Sequence, residues 1–553
     1  MTTTITFPLP QIDTLRTELQ TYEKAINATT TSLASQVSKL AGEVATLQSN
    51  LVTLTAAVTS LSAAPAPTPV PTTSGTTSGT TSGTTSGTTS GTTSGTTSGT
   101  TSGTTLSPNL GFGLTKHGTT LMPYSPLAKP AKGQTVIDPD FGAKITRITD
   151  CVNDFKSTVA IPAYPTAMAW NCDESRFILY ITSPQVGGQQ GWALFDGKTY
   201  AFLKMLPINP ADIEQFYWDH TTPSILYYID NHMEGNATLA DLTSINVETE
   251  VTTILHSFIP DLQKLGWPAV GPVRCGYPFA LGYNAQGQRI WGLGAGGIPN
   301  VGGQLGLNVF GWNESTGVWT FYDKSVVPQA QARGTTPFPL LSGNGWVWSD
   351  GSQTPTAKVA VLDINGKLVR YVDFDATEHV STAMNSKGED LLVGAQYSRN
   401  TGGNGNLIVA NLNTGVVTNL IGESSGYGYP ATGALTGATA YSNPQWVVNG
   451  ITGSPYGTNF SAPTAKPTTL LDQEIVLSNV DTGDIFRVAH HRSTGYYTNA
   501  PVNNYWAQTN VSMSRSGTRI LFQSDWGNAD PSSPVVNPNA VVDTYILELP
   551  SYK

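Results

Sequence analysis

Apolar residues recur at alternating steps of three and four along one stretch of the chain: Val37, Leu40, Val44, Leu47, Leu51, Leu54, Val58 and Leu61. This is a heptad seam with Val or Leu at a and Leu at d, the pattern of a coiled coil. Upstream, Ile12, Leu15, Leu19, Tyr22 and Ile26 form a second run that joins the first through Thr30 and Leu33 with a stutter, which locally unwinds a supercoil. A helix from Ile12 to Leu61 would be about 75 Å long, and one apolar stripe of that length predicts self-association. The pattern then stops. Pro65, Pro67, Pro69 and Pro71 lead into eight tandem Ser-Gly-Thr-Thr tetrapeptides from Ser74 to Thr105. These have no large apolar side chain to offset the entropy of ordering. Residues 65–105 therefore predict a loosely extended spacer, spanning on the order of 35 Å as a coil.

Beyond Gly142 the period changes to that of strands separated by tight turns, among them Asp196-Gly197, Thr316-Gly317, Asn365-Gly366, Thr414-Gly415, Thr482-Gly483 and Ser516-Gly517. A unit repeats: an inner pair of strands (FILYI after Trp170-Asn171, ILYYI after Trp218-Asp219, RIWGL after Tyr283-Asn284, DLLVG after Met384-Asn385, RILFQS after Met513-Ser514) followed by an outer hairpin such as WALFDGKTYAFL or IVANLNTGVVTNLI. With degenerate inner halves around Trp346 and around Tyr441 to Val448, the count is seven. The last unit ends after three strands, and Ala143 to Asp150 supplies the missing one. The fold predicted is mainly β, a seven-bladed β-propeller over 143–553 closed by its first strand. An α-helical coiled-coil stalk over 12–64, the linker 65–105 and an extended lead-in 106–142 precede it. Residues 1–11, with Pro8 and Pro10, read as an attachment peptide.

Composition narrows the partners. The net charge of −10 disfavours nucleic acid. Only 12% of the 553 residues are charged, against roughly 25% in ordinary soluble domains, so Thr, Ser, Asn and Gly carry the polar surface. The three cysteines cannot all pair, which excludes a disulfide framework. No membrane insertion is expected, and Met1 to Pro10 lacks the basic and apolar regions of a signal peptide.

The phrases SRSGTRILFQSDWG (Ser514 to Gly527) and KITRITD resemble blades of the TolB-like and WD40-like propellers, a group that includes the oligogalacturonate lyases. The N-terminal third resembles the shaft of a bacteriophage head or tail fibre. That resemblance implies a structural virion fibre on the particle exterior, assembled in the host cytoplasm. It also implies a homotrimer, although Val at a with Leu at d by itself favours two strands. Residues 1–11 would dock on a capsid or tail protein, and so short a peg suits a capsid axis somewhat better.

In a propeller the loops leading into the inner strands surround one mouth of the channel. Tyr164, Tyr277, His379, Tyr441, Trp506 and Gln508 fall there, with His490 and His491 leading into the last blade. Aromatic faces with amide and imidazole tips suit sugar rings, which makes a host-surface glycan the expected ligand. The lyase resemblance implies a metal held by His and Gln near a base, for which His379, Gln508 and His490-His491 are a partial match. Because the spaced histidine pattern is incomplete, no catalytic residue, metal or cofactor is assigned. The alternatives are a polysaccharide lyase or depolymerase, and a non-phage secreted adhesin. His117, His220, His232 and His256 show no ligand spacing and read as surface or turn residues. The acidic turns Asp138-Pro-Asp140 and Asp363-Ile-Asn365-Gly fall short of a calcium loop and read as turn chemistry.

Overall fold

The computed structural model describes residues 109–210, 213, 215–234, 237–258, 260–261, 280–299, 305–321, 326, 337–349, 358–374, 380–396, 405–427, 434–451, 470–493, 505–526 and 541–552. The seam from Val37 to Leu61, the peptide 1–11 and the linker 65–105 lie outside them, as do Tyr277 and His379.

Seven antiparallel sheets follow one another along the chain, the seven blades expected from the repeat. Their inner strands are Ser157–Ile161, Phe216–Trp218, Ala280–Tyr283, Phe338–Pro339, Ser381–Met384, Ala434–Gly437 and Val511–Met513. Six blades have four strands in chain order, and the seventh has five. Blade seven runs Val511–Met513, Arg519–Ser524, Asp543–Glu548, then Lys144–Arg147 and Thr135–Ile137. Lys144 pairs with Glu548 and Arg147 with Tyr545, so a strand from the start of the domain completes the last blade. The fifth strand, Thr135–Ile137, pairs outside it.

One local device repeats in the outer hairpins. The third strand of blades one to six ends in Asp or Asn, and its side-chain oxygen accepts from the turn backbone. Asp196 takes the N–H groups of Lys198 and Thr199, Asn411 those of Asn413 and Thr414, and Asn479 those of Asp481 and Thr482. This replaces the ladder bonds lost at the turn. The chain returns through a left-handed residue: Gly317, Gly366, Gly415 and Gly483, but Tyr200 in blade one and Glu250 in blade two.

Burial follows the ring. Each neighbouring pair of blades shares an apolar cluster, such as Trp192, Phe216 and Tyr228 between blades one and two. Phe177 and Phe195 of blade one meet Leu521 and Ile546 of blade seven, which closes the circle.

The lead-in is built in more firmly than its composition predicts. Leu110 is fully buried in the cluster of blades six and seven. Tyr124 donates its hydroxyl to Gln473, Arg487 donates to the carbonyls of Gly118 and Thr120, and Trp526 donates its indole N–H to the carbonyl of Leu127. Residues 109–142 thus form a strap over the joint of these two blades.

Candidate functional site

Blade one's inner strand breaks after Ile161. Pairing with the second strand resumes only at Ala169 and Trp170. The intervening residues lean into the channel. Ser512 of blade seven donates its hydroxyl to the carbonyl of Ala167, and a Cβ on Gly437 of blade six would lie 3.0 Å from the carbonyl of Pro165.

Beside this excursion lies a cavity of about 140 Å³. It is lined by Thr166 and Met168 and by inner-strand residues of blades two to five, with Ala438, Thr439 and Tyr441 from blade six. Its polar wall comes from residues at the ends of inner strands. His220 follows that of blade two, Tyr283 closes that of blade three, and Tyr441 follows that of blade six. The rings of His220 and Tyr283 are 4.3 Å apart and those of His220 and Tyr441 5.5 Å apart. The backbone N–H of His220 donates to the Tyr283 hydroxyl at 3.2 Å. Next to it, Asp219 caps its own turn through Thr221 and Thr222 and accepts from the Tyr227 hydroxyl at 2.7 Å. The wall is therefore a cluster of tilted rings on a hydrogen-bonded turn.

Burial, followed by the field of Arg515, pulls the His220 imidazole down to about 4, so it is neutral at physiological pH. Arg515 stands over the Tyr441 ring at 6.0 Å, and its buried Nη1 has no hydrogen-bond partner among the described residues. Burial raises the Tyr441 hydroxyl, which stays protonated. The cavity offers aromatic faces and a neutral imidazole to a ligand, with no described carboxylate among its lining residues.

Of the residues singled out in the sequence, Tyr441 lines this cavity, but from beyond the end of blade six's inner strand, Ala434–Gly437, and not from the loop leading into that strand as expected. Tyr164 is buried in the excursion. Trp506 is half-buried and packs 6.1 Å from Tyr180, near a wider depression of about 410 Å³ that holds Tyr180, Gln190, Trp192 and Asn209. Gln508 is half-buried, and its carbonyl accepts from the Gln523 amide. His490 and His491 are fully buried at the end of blade six's outer strand. The His491 ring is used by the backbone, with Nε2 donating to the Ile451 carbonyl and Nδ1 accepting from Ser493. Neither nitrogen is left for a metal, so the implied His and Gln set is not assembled among the described residues.

His220 was not legible as a site residue. His220 does stand in a turn, as expected, but that turn opens on the channel. Its signal was its place just after an inner strand, shared by Tyr441.

No protein-family model matches the sequence, and no curated protein does. Among solved structures, an oligogalacturonate lyase in complex with manganese is 13% identical, with a TM-score of 0.47 over 77% of this chain and 100% of that one. An oligogalacturonate lyase from Vibrio parahaemolyticus is 12% identical, with a TM-score of 0.46 over 76% and 100%. TolB from Acinetobacter baumannii is 13% identical, with a TM-score of 0.29 over 59% and 62%. The seven sheets of the chain itself establish that it is a β-propeller protein.

Proposed function

We propose that this chain is a fibre protein of a bacteriophage virion, displayed on the particle exterior, whose propeller binds a host-surface glycan in the channel cavity. The observation that carries the binding role is the cluster of His220, Tyr283 and Tyr441 rings on the cavity wall. Sugar rings present apolar faces for such rings and hydroxyls for imidazole and phenol groups. The fibre role is supported by the order heptad seam, spacer and ring in one sequence. The seam self-associates, as a trimer by analogy with fibre shafts, and residues 1–11 attach to a capsid or tail protein.

The test is binding of the purified full chain to host cells and to their extracted surface polysaccharide. Tyr441→Ala should weaken binding roughly tenfold, the worth of one aromatic stacking contact. Equal binding by wild type and variant would remove the cavity from the function. A monomer in cross-linking or mass photometry would remove the fibre.

A further inference from the structure

We propose that Asp138, Asp140 and His490 form a divalent transition-metal site that fastens the strap to blade six. Oδ2 of Asp138, Oδ2 of Asp140 and a ring nitrogen of His490 lie within 4.8 Å of one another. Nδ1 of His490 is 3.5 Å from the Asp140 oxygen and 4.0 Å from the Asp138 oxygen. The three side chains are 1%, 3% and 0% exposed in the order His490, Asp140, Asp138.

A second observation points to a ligand. Both ring nitrogens of His490 are buried without a hydrogen-bond partner among the described residues. The ring makes edge-type contacts with Tyr124 at 4.9 Å and Phe141 at 4.8 Å, so its surroundings are aromatic. An imidazole left in that state is costly unless something bridges it to the carboxylates. The carboxylates are held for such a bridge. Asp138 uses Oδ1 to cap its turn at Asp140 and Phe141, while Oδ2 accepts only the His490 backbone N–H. Asp140 is fixed by Ser125, whose N–H reaches Oδ2 and whose hydroxyl reaches Oδ1. Each Oδ2 therefore keeps a lone pair.

Arg492 supplies one balancing charge without closing the gap. Its Nη1 donates to the Ser125 carbonyl, and its Nη2 stands 3.8 Å and 4.0 Å from the two Oδ2 atoms, beyond hydrogen-bond distance. Two carboxylates against one guanidinium leave negative charge in a closed site. Glu474 and Arg487 nearby satisfy each other. One imidazole with two carboxylates, closing to about 2.0–2.2 Å around an ion, suits Zn²⁺ or Mn²⁺ better than the all-oxygen preference of Ca²⁺ or Mg²⁺. Asp138 and Asp140 belong to the strap and His490 to blade six, so the ion would tie one to the other.

The full chain, stripped with chelator and reloaded with Zn²⁺ or Mn²⁺, should retain one ion per chain at this site by elemental analysis and melt a few degrees higher. Co²⁺ in its place should give visible bands of a nitrogen- and oxygen-bound ion. Asp140→Asn, which keeps the shape and an oxygen for Ser125, should bind at least about tenfold more weakly. It should lose the metal-dependent shift while melting normally without metal. His490→Gln is the second variant, with the same expectation for retention. No retained ion in wild type overturns the proposal, as does undiminished retention in both variants, which would place the ion elsewhere. None of these readouts depends on glycan binding.

Discussion

Two glycines that look alike in the sequence do different work. Gly317 has φ +66 with nothing within 4 Å of a would-be Cβ, so it is there for its backbone angle alone. Gly317→Ala should cost about 1 kcal/mol in urea unfolding. Gly197 follows Asp196 in the equivalent turn, yet the left-handed residue there is Tyr200. A Cβ on Gly197 would meet the Glu174 carbonyl oxygen at 2.0 Å, in the hairpin that Arg519 of blade seven also grips. Gly197→Ala should therefore cost more than Gly317→Ala, about 2 kcal/mol or above, because backbone must shift. Equal losses would show that both serve only as turns. The histidines make a second residue-scale prediction. His220 and His491 are held down to about 4 in the fold by burial, and both protonate near 6.5 once unfolded. Between those values the unfolded chain binds the extra protons, so stability falls as pH drops through the window. The slope is up to about 1.4 kcal/mol per pH unit for each histidine. His220→Asn should remove its share of that slope in denaturation measured from pH 7 to pH 5, and an unchanged slope would count against a buried neutral His220.

At the level of elements, the closing strand is the member whose loss should matter most. Ile145 is fully buried among residues of blades six and seven, and its strand covers the otherwise open edge of Asp543–Glu548. Ile145→Ala should cost about 2–5 kcal/mol. A chain beginning after residue 148 should expose that edge and aggregate, as seen by size-exclusion chromatography. A monodisperse truncated protein would mean that blade seven stands without its borrowed strand. The strands and their borrowing were legible in the sequence because they rest on period-two alternation and turn chemistry. The fifth strand and the strap were not. Residues such as Leu110, Tyr124 and Leu127 stand in an irregular stretch with no period, and only contact with blades six and seven gives them a role. The same limit hid most of the cavity wall: His220 and Tyr283 come from two blades and meet Tyr441 of a third, and no spacing within one repeat reports a contact formed between blades. For Asp138 and Asp140 the reading as turn residues was half the matter, since one oxygen of Asp138 caps the turn and the other faces His490.

For the molecule as a whole, the proposed self-association would turn weak cavities into a firm grip. Heads that each bind one glycan modestly would bind a repetitive surface 10²–10⁴-fold more tightly when joined, provided the spacer lets them engage together. Comparing the full chain with a version lacking residues 12–64, on immobilised polysaccharide, should show that gain mainly as slower release. Equal release would mean that one head acts at a time. The strap bears on the same question from the side of force. Any tension carried by the chain before residue 109 enters the ring where Leu110 is buried and where Arg487, Gln473 and Trp526 grip the backbone and side chains of residues 118–127. That length works as a cable clamp. It takes up the pull along many small anchors, and the closing strand of blade seven is loaded only after they have let go.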